Sequence, residues 1–323
     1  MSNLERDPHE QSCSAHPALE PVVELLEPRK VWLGRTQQVR RLLPHKERRM
    51  VGAWCFVDHY GPDDIRDQPG MWVPPHPHSS LQTVSWLFEG EVLHRDSVGN
   101  EALVRPGELN IMTAGPGIAH AEESHDQRAH PIVHGAQLWV ALPEDARNAV
   151  APRFDQYDGL PALELDGVRG SVMVGEVGGV GSPAASYTPL VGADLTVDRT
   201  ATVPLTGEYE YAVLVVDGPV TVEQQRAAGG EMVYLGCGRD WFRLSGPGRV
   251  LLLGGEPFAE EIVMWWNFIG RSHDEIVALR NEWNAGLDGG STERFGVVHG
   301  FTGDPLRAPD LPNTHLKPRG RTR

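Results

Sequence analysis

The stretch Gly70–His78 reads GMWVPPHPH and ends in two histidines, His76 and His78, that are separated by one proline. Because successive side chains of a strand point to opposite faces, residues i and i+2 lie on the same face. Pro77 has a fixed backbone φ angle and no N–H to donate, so it stiffens the spacing between the two histidines. The stretch therefore predicts a strand that directs two imidazoles into the same space.

A second pair with the same spacing follows in Ile118–Glu122, which reads IAHAE. Here His120 and Glu122 are again residues i and i+2 of a predicted strand. If the two strands face one another, three imidazoles and one carboxylate converge. That donor set suits a divalent first-row metal and leaves room for ligands from solution. The predicted metal ligands are therefore His76, His78, His120 and Glu122.

The histidines are unevenly distributed along the chain. Eight of the 14 lie between His59 and His134, and none lies between Gly135 and Ser272. One half of the chain can therefore offer imidazoles to a metal, and the following segment cannot. Of the remaining histidines in the rich half, His94 and His134 are interpreted either as ordinary packing residues or as hydrogen-bond donors to the metal ligands.

The composition favours an all-β protein. The 323 residues include 36 glycines and 26 prolines, and most apolar runs are short and end at one of these residues. Turn dipeptides such as Gly99-Asn100 and Pro106-Gly107 separate the runs. This pattern indicates short antiparallel strands in sandwiches or small barrels, and the length allows two such domains.

Breaks in this pattern predict the domain boundaries. The segment 143–159 is charged and interrupted by proline, so we interpret it as a linker. Near the C-terminus, Ser272 and Glu275 form a capping-box pattern, and apolar residues recur at helical spacing after it. We therefore expect a flexible N-terminal arm, a metal-binding β domain, a second β domain, and a helix with a tail, over residues 1–26, 27–145, 160–268 and 269–323.

Charge and cysteine content limit the partners and the compartment. The formal net charge of −15 disfavours direct nucleic-acid binding, and two short basic stretches, Arg40–Arg49 and Lys317–Arg323, are interpreted as solvated segments. No apolar run is long enough to span a membrane. Three scattered cysteines without a CxxC motif, and an N-terminal segment without an apolar core, predict a cytoplasmic protein rather than a secreted one.

Several segments resemble known proteins. The spacing of Gly70, His76 and His78 is similar to the first motif of cupins, and the segments HPHSSLQTVSWLFEGEVLHRDSVGN, RPGELNIMTAGPGIAHAE and HGAQLWVALP resemble the pirin family. The resemblance is specific from about Leu33 to Leu142 and looser to about Asn267. It implies two tandem cupin (jelly-roll) β-barrels, with iron bound in the N-terminal barrel by the four predicted ligands and no metal in the C-terminal barrel.

The chain departs from the family pattern directly after the second histidine. Pirins usually read His-Pro-His-Arg-Gly-Phe-Glu, whereas this chain reads HPHSSLQ. Ser79, Ser80, Leu81 and Gln82 thus replace an arginine, a glycine, a phenylalanine and a glutamate. None of the four is a ligand in the family pattern. The change of charge near the metal can still alter the orientation and basicity of the ligands.

The resemblance also implies candidate functions, and the sequence leaves open whether the protein is an enzyme. Some pirins resemble quercetin 2,3-dioxygenases, which implies a ferrous ion, a small aromatic substrate such as a flavonol, and Glu122 either as a ligand only or also as a base. The same ligands also suit Mn, Co, Ni, Cu or Zn. The alternatives are a redox-sensitive regulator that binds a protein partner such as a transcription factor, and a metal that only stabilises the fold.

Overall fold

The computed structural model describes residues 21–33 and 37–322, and these residues form β-structure with two helices. Most of the predicted flexible arm, residues 1–26, lies outside the described residues. The strands in the first half of the chain are β1 (Glu24–Leu26), β2 (Arg29–Leu33), β3 (Gln37–Leu43), β4 (Trp54–Asp64), β5 (Trp72–His78), β6 (Leu81–Glu89), β7 (Val92–Asp96), β8 (Glu101–Val104), β9 (Leu109–Thr113), β10 (Ile118–Ser124), β11 (Ile132–Ala141) and β12 (Arg153–Tyr157).

The second half of the chain repeats this all-β character and adds the longer helix. The predicted class, two β-barrels with a short C-terminal helix, is confirmed. The two helices are α1 (Glu144–Arg147) and α2 (His273–Leu287), and the remaining strands are β13 (Ala162–Leu165), β14 (Val168–Val174), β15 (Glu176–Val177), β16 (Val180–Gly181), β17 (Leu190–Val197), β18 (Ala201–Pro204), β19 (Glu210–Asp217), β20 (Val220–Val222), β21 (Gln225–Ala227), β22 (Met232–Gly236), β23 (Trp241–Ser245), β24 (Gly248–Gly255), β25 (Val263–Trp265) and β26 (Phe268–Gly270).

The N-terminal barrel is formed by a seven-stranded sheet in the order β12-β9-β6-β11-β4-β3-β2 and a four-stranded sheet in the order β5-β10-β7-β8. Strands β6 and β11 are buried along almost their whole length. Alternate side chains explain why, since Ser85 of β6 contacts Glu122 inside the barrel while its neighbour Trp86 contacts Asp194 of the second barrel. Both faces of these strands are therefore covered.

The C-terminal barrel repeats the arrangement with a seven-stranded sheet, β1-β22-β19-β24-β17-β14-β13, and a four-stranded sheet, β18-β23-β20-β21. Its interior is filled by buried valine and leucine side chains around Phe242 and Tyr211. Inward-facing apolar residues on antiparallel strands are what a closed hydrophobic core requires. The N-terminal barrel differs, because polar side chains such as Ser85 and Glu122 lie in its interior. The candidate functional residues are therefore in the first barrel.

Two short strands lie outside the predicted domain limits. Residues 143–159, predicted as a linker, contain β12 (Arg153–Tyr157), which pairs with β9 at the edge of the N-terminal sheet. Residues 24–26, predicted as part of the flexible arm, form β1 and pair with β22 of the C-terminal sheet. Each barrel therefore receives an edge strand from a segment that the sequence assigns to a connection, because pairing covers a sheet edge that is otherwise open.

A shared hydrophobic cluster joins the barrels. It combines buried residues of the N-terminal sheet, such as Trp54 and Trp86, with residues of the C-terminal sheet, such as Leu214 and Leu253. The indole N–H of Trp54 donates to the backbone carbonyls of Val191 and Gly254 at 3.0 and 3.2 Å. The interface is thus packed like a domain interior, and the Trp54 indole buried in it has acceptors on the second barrel.

The C-terminal segment returns to the first barrel. Strand β26 lies beside Ser79, whose carbonyl accepts a hydrogen bond from the Ile269 N–H at 3.2 Å. Helix α2 follows, capped by Ser272 as predicted, with Ile276, Leu279 and Trp283 buried. In a capping box, the Glu275 carboxylate would also accept a hydrogen bond from the backbone N–H of Ser272. Here it accepts from the backbone N–H of Arg271 instead.

The two basic stretches meet instead of remaining solvated. Arg49 donates its backbone N–H to the carbonyl of Arg321 at 2.8 Å. Arg41 and Arg321 are only 3% and 7% exposed and form ion pairs with Asp58 and Glu210. The interpretation of both stretches as solvated is therefore wrong for these residues, because each charge is neutralised by a buried carboxylate.

Within the described residues, neither helix combines the length and the apolar composition that crossing a membrane requires.

Candidate metal centre

The two histidine-bearing strands are neighbours in one sheet. Strand β5 carries His76 and His78, strand β10 carries His120 and Glu122, and the two pair antiparallel with His76 directly opposite His120. The sequence predicted strands that face each other across the site, whereas the structure places them side by side. The alternation within each strand still directs both pairs to one face of the sheet, as the i, i+2 spacing predicts.

The three imidazoles meet at one point inside the barrel. Their ring centroids lie 4.4 to 5.0 Å apart, and Nε2 of His78 is 3.1 Å from Nε2 of His120. Two nitrogens bound to one metal at about 2.1 Å and an angle near 90° lie about 3.0 Å apart. The spacing therefore matches two ligands of one ion.

Backbone carbonyls fix the tautomers of the first two histidines. Nδ1 of His76 is 2.9 Å from the carbonyl of Pro74, and Nδ1 of His78 is 3.1 Å from the carbonyl of Asn267. Since a carbonyl only accepts, each Nδ1 carries the proton and each Nε2 keeps its lone pair. Orientation of a metal-binding histidine through its second nitrogen is typical of metal sites.

The third histidine is oriented by His94, which the sequence left open as a packing residue or a partner of the metal ligands, and by Asp96, which the sequence did not single out. Nδ1 of His120 is 3.4 Å from Nδ1 of His94, and Nε2 of His94 is 3.4 Å from the Asp96 carboxylate. When the Nε2–H of His94 donates a hydrogen bond to Asp96, Nδ1 of His94 has a lone pair and acts as an acceptor. The Nδ1–H of His120 then donates to it, and Nε2 of His120 keeps its lone pair. His94 and Asp96 are themselves an i, i+2 pair on β7, so the spacing rule was sufficient to find them.

The carboxylate lies in a polar part of the barrel interior. Glu122 is 1% exposed, and the Ser85 hydroxyl is 3.2 Å from its Oε1 and 2.9 Å from the amide oxygen of Gln137. The Gln137 amide nitrogen is buried without a hydrogen-bond partner among the described residues. This nitrogen is an unused donor close to the predicted ligands.

Two overlapping groups of donor atoms describe the site. The donor atoms of His76, His78 and His120 lie within 4.8 Å of one another, and so do those of His94, His120 and Glu122. The structure thus brings the four predicted ligands into one region and adds His94 beside them. His120 is common to both groups and is the centre of the arrangement.

Burial keeps the imidazoles neutral. It lowers the pKa of His76 to about 4 and lowers the pKa of both His78 and His120 well below the usual value. Neutral imidazole is the form that binds metals, because protonation would occupy the lone pair. The buried Nε2 of His76 has no hydrogen-bond partner among the described residues, and a cation satisfies such an atom without a proton. The donor set therefore fits a divalent transition metal.

Two other buried histidines form a separate pair. Nε2 of His59 is 2.8 Å from Nε2 of His134, and the Arg40 guanidinium lies against His59. Burial, followed by the charge of Arg40, lowers the pKa of His59 to about 2. His134, interpreted as either a packing residue or a donor to the metal ligands, therefore pairs with His59 instead. His125, in the loop after β10, is exposed.

The residues that depart from the pirin pattern are buried and directed away from the ligands. Ser79, Ser80, Leu81 and Gln82 are each at most 3% exposed. The Ser80 N–H donates to Gly115, and the Gln82 amide donates to the Thr113 hydroxyl at 3.0 Å. These hydrogen bonds link the turn after β5 and the start of β6 to the end of β9 and the turn that follows it. The substitutions therefore change the packing behind the site rather than its donor set.

Comparison with known families agrees with the two barrels. The chain matches the family model described as Pirin over residues 35–140 and the Pirin C-terminal cupin domain over residues 190–289. A Pseudomonas aeruginosa protein provisionally named a quercetin 2,3-dioxygenase is 44% identical over 297 residues, which are 91% of this chain and 92% of that protein. A pirin-like protein of Caulobacter vibrioides is 38% identical over 259 residues, covering 77% and 88% of the two chains.

A solved structure extends the similarity to three dimensions. The crystal structure of quercetin 2,3-dioxygenase from Acinetobacter baumannii aligns with a TM-score of 0.84 at 38% identity, covering 90% of this chain and 96% of that one. Both the family models and this alignment include both barrels. The chain therefore belongs to the pirin family of cupin proteins.

Proposed function

We propose that the protein is a ferrous-ion-dependent dioxygenase that acts on a flavonol or a similar enolisable aromatic substrate. The observation that carries the proposal is the convergence of three neutral imidazoles, each with its Nε2 lone pair directed to one point beside a carboxylate. The names of the Pseudomonas relative and of the Acinetobacter structure support the substrate class. His76, His78, His120 and Glu122 are the proposed ligands.

When bound there, a ferrous ion supplies electron transfer to dioxygen and polarises the oxygens of a bound substrate. The protein's own residues hold the site in place. Pro74 and Asn267 orient two imidazoles through their carbonyls, and Asp96 orients the third through His94. The buried amide of Gln137 offers a hydrogen bond to a substrate oxygen that enters beside Glu122. Burial of all these groups excludes bulk water from the reacting atoms.

Glu122 is proposed to have two roles, as a ligand and as the acceptor of the enol proton of the substrate. The Ser85 hydroxyl lies 3.2 Å from Oε1, which keeps the carboxylate oriented while it accepts a proton. In Glu122→Gln, we expect reduced turnover by protein that is fully loaded with metal, and loss of the acidic limb of the pH–rate profile. If turnover per bound metal is unchanged, Glu122 does not act as the base.

Oxygen uptake tests the whole proposal. Protein loaded with ferrous ion under anaerobic conditions is mixed with quercetin and air, and both oxygen consumption and loss of the flavonol are measured. We expect His76→Ala to abolish both, whereas the exposed His125→Ala leaves them unchanged. Full metal occupancy without flavonol loss in the unmodified protein excludes the dioxygenase.

One contact favours a second candidate function, a redox-sensitive regulator of a protein partner such as a transcription factor. His78 is hydrogen-bonded to Asn267 in the turn between β25 and β26, so a change at the metal is coupled to the C-terminal segment. This function requires that ferrous and ferric protein differ in affinity for the partner. Equal affinities, measured by calorimetry with a purified partner, exclude it.

A further inference from the structure

A crevice lies between helix α2 and the chain that follows it. Its volume is about 500 Å³, which is within the usual range for binding pockets. One wall is the C-terminal half of α2 with the turn after it, and the other is the chain over residues 296–307. Pro75 of β5 lines it as well, but the four proposed metal ligands are not among its lining residues. The crevice is therefore distinct from the metal centre.

The crevice presents aliphatic side chains to the solvent. The lining residues of this kind that are half-buried or exposed are Leu287, Val297, Val298 and Pro305. Val297 alone is 48% exposed. Trp283 and Phe295 lie deeper, at 5% and 3% exposure, so they support the wall and offer little surface themselves. A ligand in the crevice therefore gains free energy by covering aliphatic groups that water now contacts.

Apolar surface continues from the crevice along residues 296–303. Six large apolar side chains of the described residues are exposed, and three of them adjoin this segment: Trp72, Val98 and Val297. The Trp72 ring is 43% exposed and lies against Phe301, with ring centroids 4.5 Å apart. Gly296 is so close to Ser97, the neighbour of Val98, that an added Cβ would lie 2.7 Å from the Ser97 Cβ. We name Trp72, Val98 and the aliphatic residues of the crevice the apolar face.

The charged rim of the apolar face has an excess of negative charge. Its two arginines are each paired with a carboxylate, in the ion pairs Arg294–Glu282 and Arg307–Asp288. Two further carboxylates, Glu293 and Asp304, are exposed and form no ion pair within the part of the chain that the structure describes. A partner that brings positive charge to this rim is therefore favoured, and the net charge of −15 adds to the attraction.

The extent of the apolar face favours a protein partner over a small molecule. Scattered apolar residues are ordinary on a surface, whereas a contiguous group with a charged rim is typical of an interaction site. A small molecule would fill the crevice and leave Trp72 and Val98 in contact with water. A peptide segment can place one side chain in the crevice and cover these two residues with its neighbours, as anchor residues do at protein interfaces.

We propose that the apolar face binds a protein partner through a short segment whose apolar side chains are flanked by lysine or arginine. One apolar side chain enters the crevice, and the basic flanks lie next to Glu293 and Asp304. The proposal goes beyond the dioxygenase activity and does not depend on it, because it rests on residues outside the metal centre.

Fluorescence anisotropy with the metal-loaded full chain tests this surface, with three pools of fluorescein-labelled peptides of about nine residues as probes. The first pool has Leu, Ile, Phe or Met in the centre and Lys or Arg in both flanks. The second has the same centre with Asp or Glu in the flanks, and the third has basic flanks around Ser and Gly. We expect the first pool to bind at least about tenfold more tightly than either of the others. Lack of binding by the first pool, or equal binding of the first and either other pool, overturns the proposal.

A variant of the crevice locates the apolar contact. Val297→Ser removes an exposed aliphatic side chain and is expected to weaken binding of the first pool at least about threefold. Val23→Ser is the matched control, because Val23 is a 38% exposed valine that does not line the crevice. We expect the control to change the affinity less than about 1.5-fold. Equal affinities of the two variants contradict the site.

A second pair of variants locates the charge contact. Glu293→Gln/Asp304→Asn removes the two unpaired carboxylates and is expected to weaken binding of the first pool about three- to tenfold at low salt, with a smaller loss at high salt. The control Glu164→Gln/Glu176→Gln removes two exposed carboxylates of the second barrel and is expected to change the affinity less than about twofold. If both double variants lose the same affinity, only the net charge of the protein attracts the peptides and the proposal is wrong.

A second copy of the chain is the competing occupant of the apolar face. Analytical ultracentrifugation of the unmodified protein and of Val297→Ser at the same concentration distinguishes the two occupants. We expect both proteins to sediment alike. If the unmodified protein forms a dimer that Val297→Ser abolishes, a second copy occupies the apolar face and the proposal is wrong.

Discussion

His94 shows how a residue outside the predicted ligand set can determine the properties of the site. It links the Asp96 carboxylate to His120, which belongs to both groups of donor atoms. Asp96 is held in turn by Asn100, whose backbone and side-chain N–H groups lie 2.9 and 2.8 Å from it. These hydrogen bonds, the largest of them from His94, keep the pKa of Asp96 below its usual value despite burial. The hydrogen-bonded series from His120 through His94 thus ends at the negatively charged Asp96 carboxylate, which favours a proton on Nδ1 of His120.

The first prediction is that His94→Phe weakens metal binding by about 10- to 100-fold without unfolding the barrel. His94 stacks on Phe154 with ring centroids 4.3 Å apart, and phenylalanine retains that stacking while it removes both ring nitrogens. Competition with a chromophoric chelator measures the affinity. Phe154→Leu is the matched control, because it removes the stacking and leaves the hydrogen bonds. Equal losses in the two variants mean that packing, not orientation, is the role of His94.

The second prediction concerns Ser80, which occupies the position where pirins usually have glycine. Its φ angle is +58°, a left-handed conformation that disfavours residues with a Cβ atom. Ser80→Gly is therefore expected to raise the free energy of unfolding by about 0.5–1 kcal/mol, because the relief exceeds the added chain entropy of glycine. Urea denaturation measures the change.

Ser79→Gly is the control for this prediction. Ser79 precedes the left-handed residue, its own φ is not positive, and its hydroxyl lies 3.4 Å from the Ile269 carbonyl. We expect this variant to lower the free energy of unfolding, since it adds chain entropy without relief of strain. A loss of stability in both variants shows that the Ser80 conformation is not strained.

At the scale of single residues, the sequence predicts the metal ligands better than it predicts the groups that orient them. His76, His78, His120 and Glu122 are recognisable because i, i+2 spacing alone places each pair on one face. The carbonyls of Pro74 and Asn267 are not recognisable, since any residue has a carbonyl and only the fold brings one within 3.1 Å of an imidazole.

At the scale of elements, local patterns predicted strands and the helix, but not which strands become neighbours. The edge strands β1 and β12 are three and five residues long, and their sequences resemble connections. They become strands because each pairs with the open edge of a sheet formed by residues distant in sequence. The periodicity of a short segment cannot reveal such an edge. The same limit applies to β5 and β10, which the sequence placed face to face and the structure places side by side.

The third prediction tests the helix that packs beside the metal centre. Ser272 accepts the backbone N–H of Glu275 at the N-terminus of α2. Ser272→Ala is expected to lower the free energy of unfolding by about 1 kcal/mol, because one N–H of the first turn loses its acceptor. Ser272→Asp keeps an acceptor and is expected to restore most of the loss. Urea denaturation measures both variants, and equal losses show that the cap does not contribute.

At the scale of the whole molecule, the two barrels share one hydrophobic core. Trp86 of the first barrel donates to the Asp194 carboxylate of the second at 2.8 Å, and Arg249 pairs with the same carboxylate. A buried carboxylate with two partners is costly to separate from either. Separate unfolding of one barrel would expose the shared hydrophobic cluster and leave these groups unpaired. The barrels are therefore expected to unfold together, although the proposed ligands lie in only one of them.

The fourth prediction follows from this coupling and concerns removal of the metal. A ligand that binds only the folded state stabilises it by about 2.7 kcal/mol when its free concentration is 100 times the dissociation constant. Chelation is thus expected to lower the Tm by several degrees, and differential scanning calorimetry should show one transition that shifts as a whole. His76→Ala is the control, since its Tm should not respond to the chelator. Two transitions, of which only one moves, contradict the coupling: the shared cluster would then be too weak to carry stabilisation from the first barrel to the second.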